Sequence, residues 1–181
     1  MKERMLAGDL YRADDPVLQA EQRHAATLLA EYNRSPATDG AQRRLLLGDL
    51  LGTLGDDVEI RPPFHCDYGW QTHVGARTFV NVGLVALDVA RITIGKDVQL
   101  GPYVQLLTPT HPLDAQRRRE GWEAALPITI GDNVWLGGGV IVCPGVTIGD
   151  STVVGAGSVV VDDLPPGVLA VGNPARVVRE L

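Results

Sequence analysis

The sequence predicts a mainly β protein: a parallel solenoid of short strands, preceded by a helical module and interrupted by one projecting loop. Three observations carry this. An aliphatic residue recurs every six positions, at Ile130, Leu136, Val142, Ile148, Val154 and Val160, and a small residue follows it in five of the six cases. Residues 1–56 show a helical apolar period instead. The stretch 108–127 shows neither pattern, yet Leu106 and Ile130 lie 24 residues apart, a multiple of six, so the lattice resumes in phase. A strict period of six belongs neither to an amphipathic helix nor to a hairpin sheet. It belongs to flat strands that turn a corner every six residues, three to a coil. The aliphatic residue points inward and stacks on its neighbours above and below. The small residue after it lets the backbone bend close to the next coil.

The chain in order supports each element. Asp15-Pro16 starts a helix, with Asp as N-cap and Pro in the first turn. Val17, Leu18, Ala25, Leu28, Leu29 and Tyr32 then share one face, and His24 lies at its rim. Asn33-Arg34-Ser35-Pro36 ends it. A second helix from Asp39 carries Leu46, Leu47, Leu50, Leu51 and Leu54, with Gly55 as the expected stop. Residues 57–164 form the solenoid. Val74, Val80 and Ala86 keep the count of six, which slips by two before Ile94, Leu100 and Leu106, so a wider corner is expected near 87–90. The 108–127 segment, with its prolines and Arg117-Arg118-Arg119, is too polar for the interior and must project, and projecting loops on rigid scaffolds commonly carry function. The tail, 165–181, is expected to leave the lattice and fold back.

Composition narrows the function. The net charge is −6 and the pI about 5.1, which argues against a broad nucleic-acid footprint. No apolar run reaches membrane-spanning length, and Met1-Lys2-Glu3-Arg4 lacks the apolar core of a signal peptide, so a cytoplasmic location is the expectation. Cys66 and Cys143 fit as small lattice residues rather than as nucleophiles.

Three stretches carry a family likeness. They are the hexads from Ile130, the opening Met5-Leu6-Ala7-Gly8-Asp9-Leu10-Tyr11 with Asp15-Pro16, and the loop Thr108-Pro109-Thr110-His111-Pro112-Leu113-Asp114. Together they resemble the maltose/galactoside O-acetyltransferases, whose hexapeptide repeats build a left-handed parallel β-helix. The resemblance implies an acetyl-CoA-dependent O-acetyltransferase acting on a hydroxyl of a sugar, working as a homotrimer with active sites between subunits. It implies His111 as general base, which suits an imidazole at neutral pH. It sets Asp67, Asn81 and Asp88 at the acceptor, where carboxylates and an amide can grip hydroxyls, although each is equally a residue that caps its own turn. Trp135, outward in its hexad, falls near the active site. Gly138 would offer its N–H to the oxyanion, Ala156 would let the pantetheine arm lie close, and Arg176 and Arg179 would meet the nucleotide phosphates.

One departure is Val161-Asp162-Asp163, where relatives often have Thr-Lys-Asp; the resemblance implies that an acid here removes part of the phosphate grip. Two alternatives follow: a trimeric scaffold that no longer transfers, or an acyltransferase with a non-sugar acceptor. A metal-dependent carbonic anhydrase on the same solenoid would use three histidines, and His65, His73 and His111 are available. The helical module and the Thr-His-Pro loop suit it poorly, so no metal is expected.

Overall fold

The computed structural model describes all 181 residues and builds a triangular solenoid from three parallel sheets. Each sheet stacks one aliphatic column. In the first, Leu54, Val74, Ile94, Ile130 and Ile148 are in register. In the second, the column is Ile60, Val80, Leu100, Leu136, Val154 and Ala170. In the third it is Cys66, Ala86, Leu106, Val142 and Val160. These residues merge into a single apolar core running the length of the prism. Dispersion and burial across this close-packed column hold the strands, most of them only two or three residues long.

The helices cap the first coil. Helix α1 spans Lys2–Leu6, α2 Pro16–Arg34 and α3 Gly40–Leu50. Asp15 caps α2 by accepting from the N–H groups of Val17 and Leu18, and Asp39 caps α3 by accepting from Gln42. Helix α2 buries Leu18, Ala25, Leu29 and Tyr32, while Val17 stays exposed. Asn33 then pairs the open edge of the first coil, donating to the Phe64 carbonyl and accepting from its N–H, each at 2.9 Å. The Tyr32 hydroxyl donates to the carbonyl of Ile60. The module thus satisfies a strand edge that would otherwise invite another chain.

Three expectations need correction. Stacking begins at Thr53–Leu54, ahead of residue 57, because Leu54 already pairs with Val74. Helix α3 therefore ends at Leu50 with Leu51 as its C-cap, and Gly55 is a corner residue, where a Cβ would lie 2.4 Å from the Ala76 nitrogen. The tail stays on the lattice. Val168–Gly172 runs parallel to Val153–Val154, and only Ala175–Glu180 turns back, antiparallel, to close that edge.

The slips in the count fall on one corner of the prism. From the first sheet to the second and from the second to the third, every step is six residues. From the third back to the first, Cys66 to Val74 is eight, Ala86 to Ile94 is eight, and Leu106 to Ile130 is 24. The wide corner expected near 87–90 is present, with a second stacked on it at 67–71 and the projecting loop completing the pile.

Candidate active site

Polar side chains replace the missing strand pairing at this corner. Asp88 is fully buried and its Oδ1 accepts from the N–H groups of Asp67 and Tyr68, at 3.1 and 2.8 Å. Its Oδ2 accepts from the Thr72 hydroxyl at 3.1 Å. One step along the pile, the buried Thr108 hydroxyl donates to the Leu87 carbonyl at 2.6 Å and accepts from the Ala90 N–H at 3.0 Å. Burial pushes the Asp88 carboxyl up, against the pull of these donors. The expectation that Asp88 itself faces an acceptor is corrected by its burial: both oxygens are already engaged inside the chain.

The projecting loop is a hairpin with a helical tip. Pro109–Thr110 pairs antiparallel with Trp122–Ala125, and between them α4, Ala115–Arg119, is capped by Asp114, which accepts from Arg117 N at 2.8 Å. Tyr11–Arg12 adds a third strand, setting Tyr11 against Glu123 and Arg12 against Trp122. The N-terminal module therefore clamps the loop as well as the first coil. Under the hairpin, Met5, Tyr11, Leu18, Tyr68, Val89 and Ala125 form a second small core.

His111 follows the last paired residue of this hairpin, is exposed, and makes no hydrogen bond within the chain. The register that sets Thr110 against Ala124 brings His111, one step on, level with Glu123. The Glu123 carboxylate accepts from the Tyr11 hydroxyl. Asp67 shares this neighbourhood: burial, then the Asp88 charge, then Glu123 push its carboxyl up to about 6. Burial and the bond to Glu123 raise the Tyr11 hydroxyl as well. Glu123 and Tyr11 were missed by sequence reading; the signal was the acid one strand across from His111, and it needed the hairpin register.

A separate groove of about 540 Å³ runs along the second sheet. It gathers Asn81, Trp135, Gly138 and Ala156, four of the residues singled out from the sequence. Trp135 is 56% exposed and forms a wall. The Asn81 Oδ1 accepts from the N–H of Val82 at 2.9 Å, which leaves its amide nitrogen for a ligand. The N–H groups of Gly138 and Ala156 donate to no protein acceptor, so both are available in the groove. The far end reaches Leu169, whose strand partner is Arg179; Arg176, beside Val171, lies nearby and pairs with Asp162 at 3.4 Å. Both arginines are exposed.

Within one chain, His111 does not line this groove, and neither does Asp67. The groove has unpaired N–H donors but no imidazole. The hairpin carries an imidazole but does not line the groove. His65 and His73 lie on the third and first sheets, apart from His111, and no group of three His, Cys, Asp or Glu side chains in the chain converges as metal ligands would. No helix is long and apolar enough to cross a membrane.

Known proteins match both parts of the chain, the helical module and the solenoid. Residues 4–55 match the maltose acetyltransferase hexapeptide capping motif, and 127–162 match six bacterial transferase hexapeptide repeats. The chain is 49% identical to Nodulation protein L of Rhizobium meliloti (strain 1021), over 97% of this chain and 96% of the relative. A crystal structure of a maltose O-acetyltransferase from Clostridium difficile 630 is 45% identical, covering 99% of this chain and 96% of that one, with a TM-score of 0.98. A galactoside acetyltransferase solved in complex with coenzyme A is 39% identical over 99% and 90% of the two chains, with a TM-score of 0.96.

Proposed function

Since the chain belongs to the maltose/galactoside O-acetyltransferase family and is an acetyltransferase, we propose that it moves acetyl from acetyl-CoA to a hydroxyl of a sugar, directly, with His111 as base. The observation that carries this is the division of labour just described. A groove with free Gly138 and Ala156 N–H groups lacks a base, and an unpartnered imidazole stands on an arm outside it.

The pantetheine arm lies along Gly138 and Ala156, with the nucleotide end toward Arg179 and Arg176. Phosphate is a stronger partner for a guanidinium than an exposed carboxylate, so it displaces Asp162 from Arg176. Asn81 and Asp67 hold acceptor hydroxyls, and Asp88 acts behind Asp67 by fixing its backbone. His111 takes the proton as the hydroxyl oxygen attacks the thioester carbonyl. The Gly138 N–H donates to the oxyanion that forms. Collapse breaks the C–S bond, and the leaving thiolate recovers the proton from the imidazolium. Glu123, level with His111 and already holding Tyr11, favours that imidazolium while it lasts.

The arm of one subunit reaches the groove of its neighbour in a homotrimer, as three flat prism sides packed about a threefold axis allow. The experiment is a screen of sugar and non-sugar hydroxyl compounds with acetyl-CoA, read by thiol release, with His111→Ala beside the parent protein. Full activity in the variant overturns the assignment of the base. Release only with non-sugar alcohols overturns the acceptor class.

A further inference from the structure

One large concavity of the molecule belongs neither to the groove nor to the arm. A cleft of about 710 Å³ opens between α2, α3 and the wide corner at 67–71. Val17, Ala20, Leu28 and Leu50 give it an apolar wall, and Glu21, Tyr68 and Trp70 line its polar side. The whole chain has three buried side-chain polar atoms without a hydrogen-bond partner: Glu21 Oε2, the Tyr68 hydroxyl and Trp70 Nε1. All three belong to residues of this one cleft. Tyr68 is only 2% exposed. Native proteins rarely leave such atoms unmet, and their convergence on one cavity points to something that meets them.

We propose that this cleft is a second small-molecule site, separate from the transfer groove, for a polyhydroxylated ring of the sugar or cyclitol class. The donor and acceptor pattern selects that chemistry. A carboxylate oxygen only accepts, an indole N–H only donates, and a phenol does both. A ligand must therefore donate and accept from neighbouring positions, as adjacent hydroxyls do. An anion would be opposed by Glu21, and a hydrocarbon would leave all three atoms unmet. Trp70, partly exposed in the cleft, and the apolar wall suit the C–H face of such a ring.

Lys2 is the cap of the site. Its ammonium bonds Glu21 Oε1 at 2.5 Å and sits 4.6 Å from the centre of the Trp70 ring. Its side chain is about a third exposed and comes from the short helix α1, so it can swing out when a ligand enters. The unpartnered atoms are closed to solvent, and Lys2, which bonds Glu21 and lies against Trp70, is the side chain whose departure would open a way to them.

The test labels the three tryptophans with 5-fluorotryptophan and follows ¹⁹F resonances, assigned by Trp→Phe variants, without acetyl-CoA. The probes are maltose, methyl α-D-glucoside and myo-inositol, titrated into the millimolar range. The site predicts a saturable shift of the Trp70 resonance with at least one probe. Glu21→Ala weakens that binding about tenfold or more, as loss of a charged acceptor should, while thiol release by the same protein stays within about twofold of the parent. Lys2→Ala removes the cap and strengthens binding severalfold. A Trp70 resonance unmoved by all three probes overturns the proposal, as does a shift that Glu21→Ala leaves intact. Weaker binding in Lys2→Ala overturns the role of the cap. Failure of the transfer reading would appear separately, in thiol release.

Discussion

Two kinds of corner share this prism, and they differ in what holds them. At the regular corners, six residues separate one column from the next, and at most of them a glycine lies against the coil above. A Cβ on Gly75 would lie 2.5 Å from the Gly95 carbonyl carbon and 2.6 Å from Lys96 N. Nothing there can give way, because both neighbours are main chain. At the irregular corner the coils swing wide, only scattered backbone bonds such as Ile92 N–H to Gln71 cross between them, and Asp88, Thr108 and Tyr11 add side-chain bonds. The lesson is that the two corners offer different groups: the regular ones set the spacing and present free backbone N–H groups, and the irregular one uses its extra residues for the arm and for polar side chains.

The contrast breaks most sharply at Gly75. Gly75→Val forces atoms into backbone and should cost at least about 3 kcal/mol, seen as a large fall in melting temperature or failure to accumulate soluble protein. His111→Ala touches only the arm. It should lower kcat/KM by about a hundred- to ten-thousandfold with the melting temperature unchanged. A variant that also melts early would mean that His111 is part of the hairpin's fold.

Asp67→Asn sharpens the comparison through pH. The folded carboxyl titrates at about 6, above its ordinary value of 3.8, because burial, Asp88 and Glu123 disfavour its charge. A raised carboxyl stabilises the fold relative to an ionised one, and that benefit is lost as pH rises through about 6. The asparagine variant should therefore match the parent near pH 4 and become the more stable protein by pH 7, by on the order of 2 kcal/mol. A constant difference across that window would place the Asp67 carboxyl in ordinary solvent. The smallest effect belongs to Gly121, at the end of α4. It has φ of +79° but nothing within 4 Å of a would-be Cβ, so Gly121→Ala should cost only about 1 kcal/mol of backbone strain.

The columns were legible because all but Cys66, Ala86 and Ala170 of the column residues are large aliphatics at fixed spacing, and periodicity needs no three-dimensional knowledge. The corner at 67–71 was not, because Cys66 does not announce itself as a column member and the count seemed to start only at Val74. The role of Asp88 was invisible for a related reason. An aspartate beside a corner reads the same whether its carboxylate points to solvent or, as here, caps the turn of the coil below. Asn81, Trp135, Gly138 and Ala156 could be placed in one groove because each keeps a fixed offset from a column residue. Glu123 could not, since its relation to His111 depends on a hairpin of two- and four-residue strands with no period at all.

The pairing of Tyr11 with Glu123 bridges 112 positions of sequence. On a ribosome, the strand Tyr11–Arg12 emerges long before Trp122–Ala125 exists to receive it, so docking waits until three coils and the whole hairpin have been translated. Closing so long a span is entropically slow, and what seats late in assembly is held by few bonds of its own. Amide hydrogen exchange should find the Tyr11 strand and the hairpin opening together, well before the columns yield. The appendage that carries the imidazole is thus fastened by the earliest-made part of the polypeptide, through the side-chain bond that spans the most sequence in the molecule.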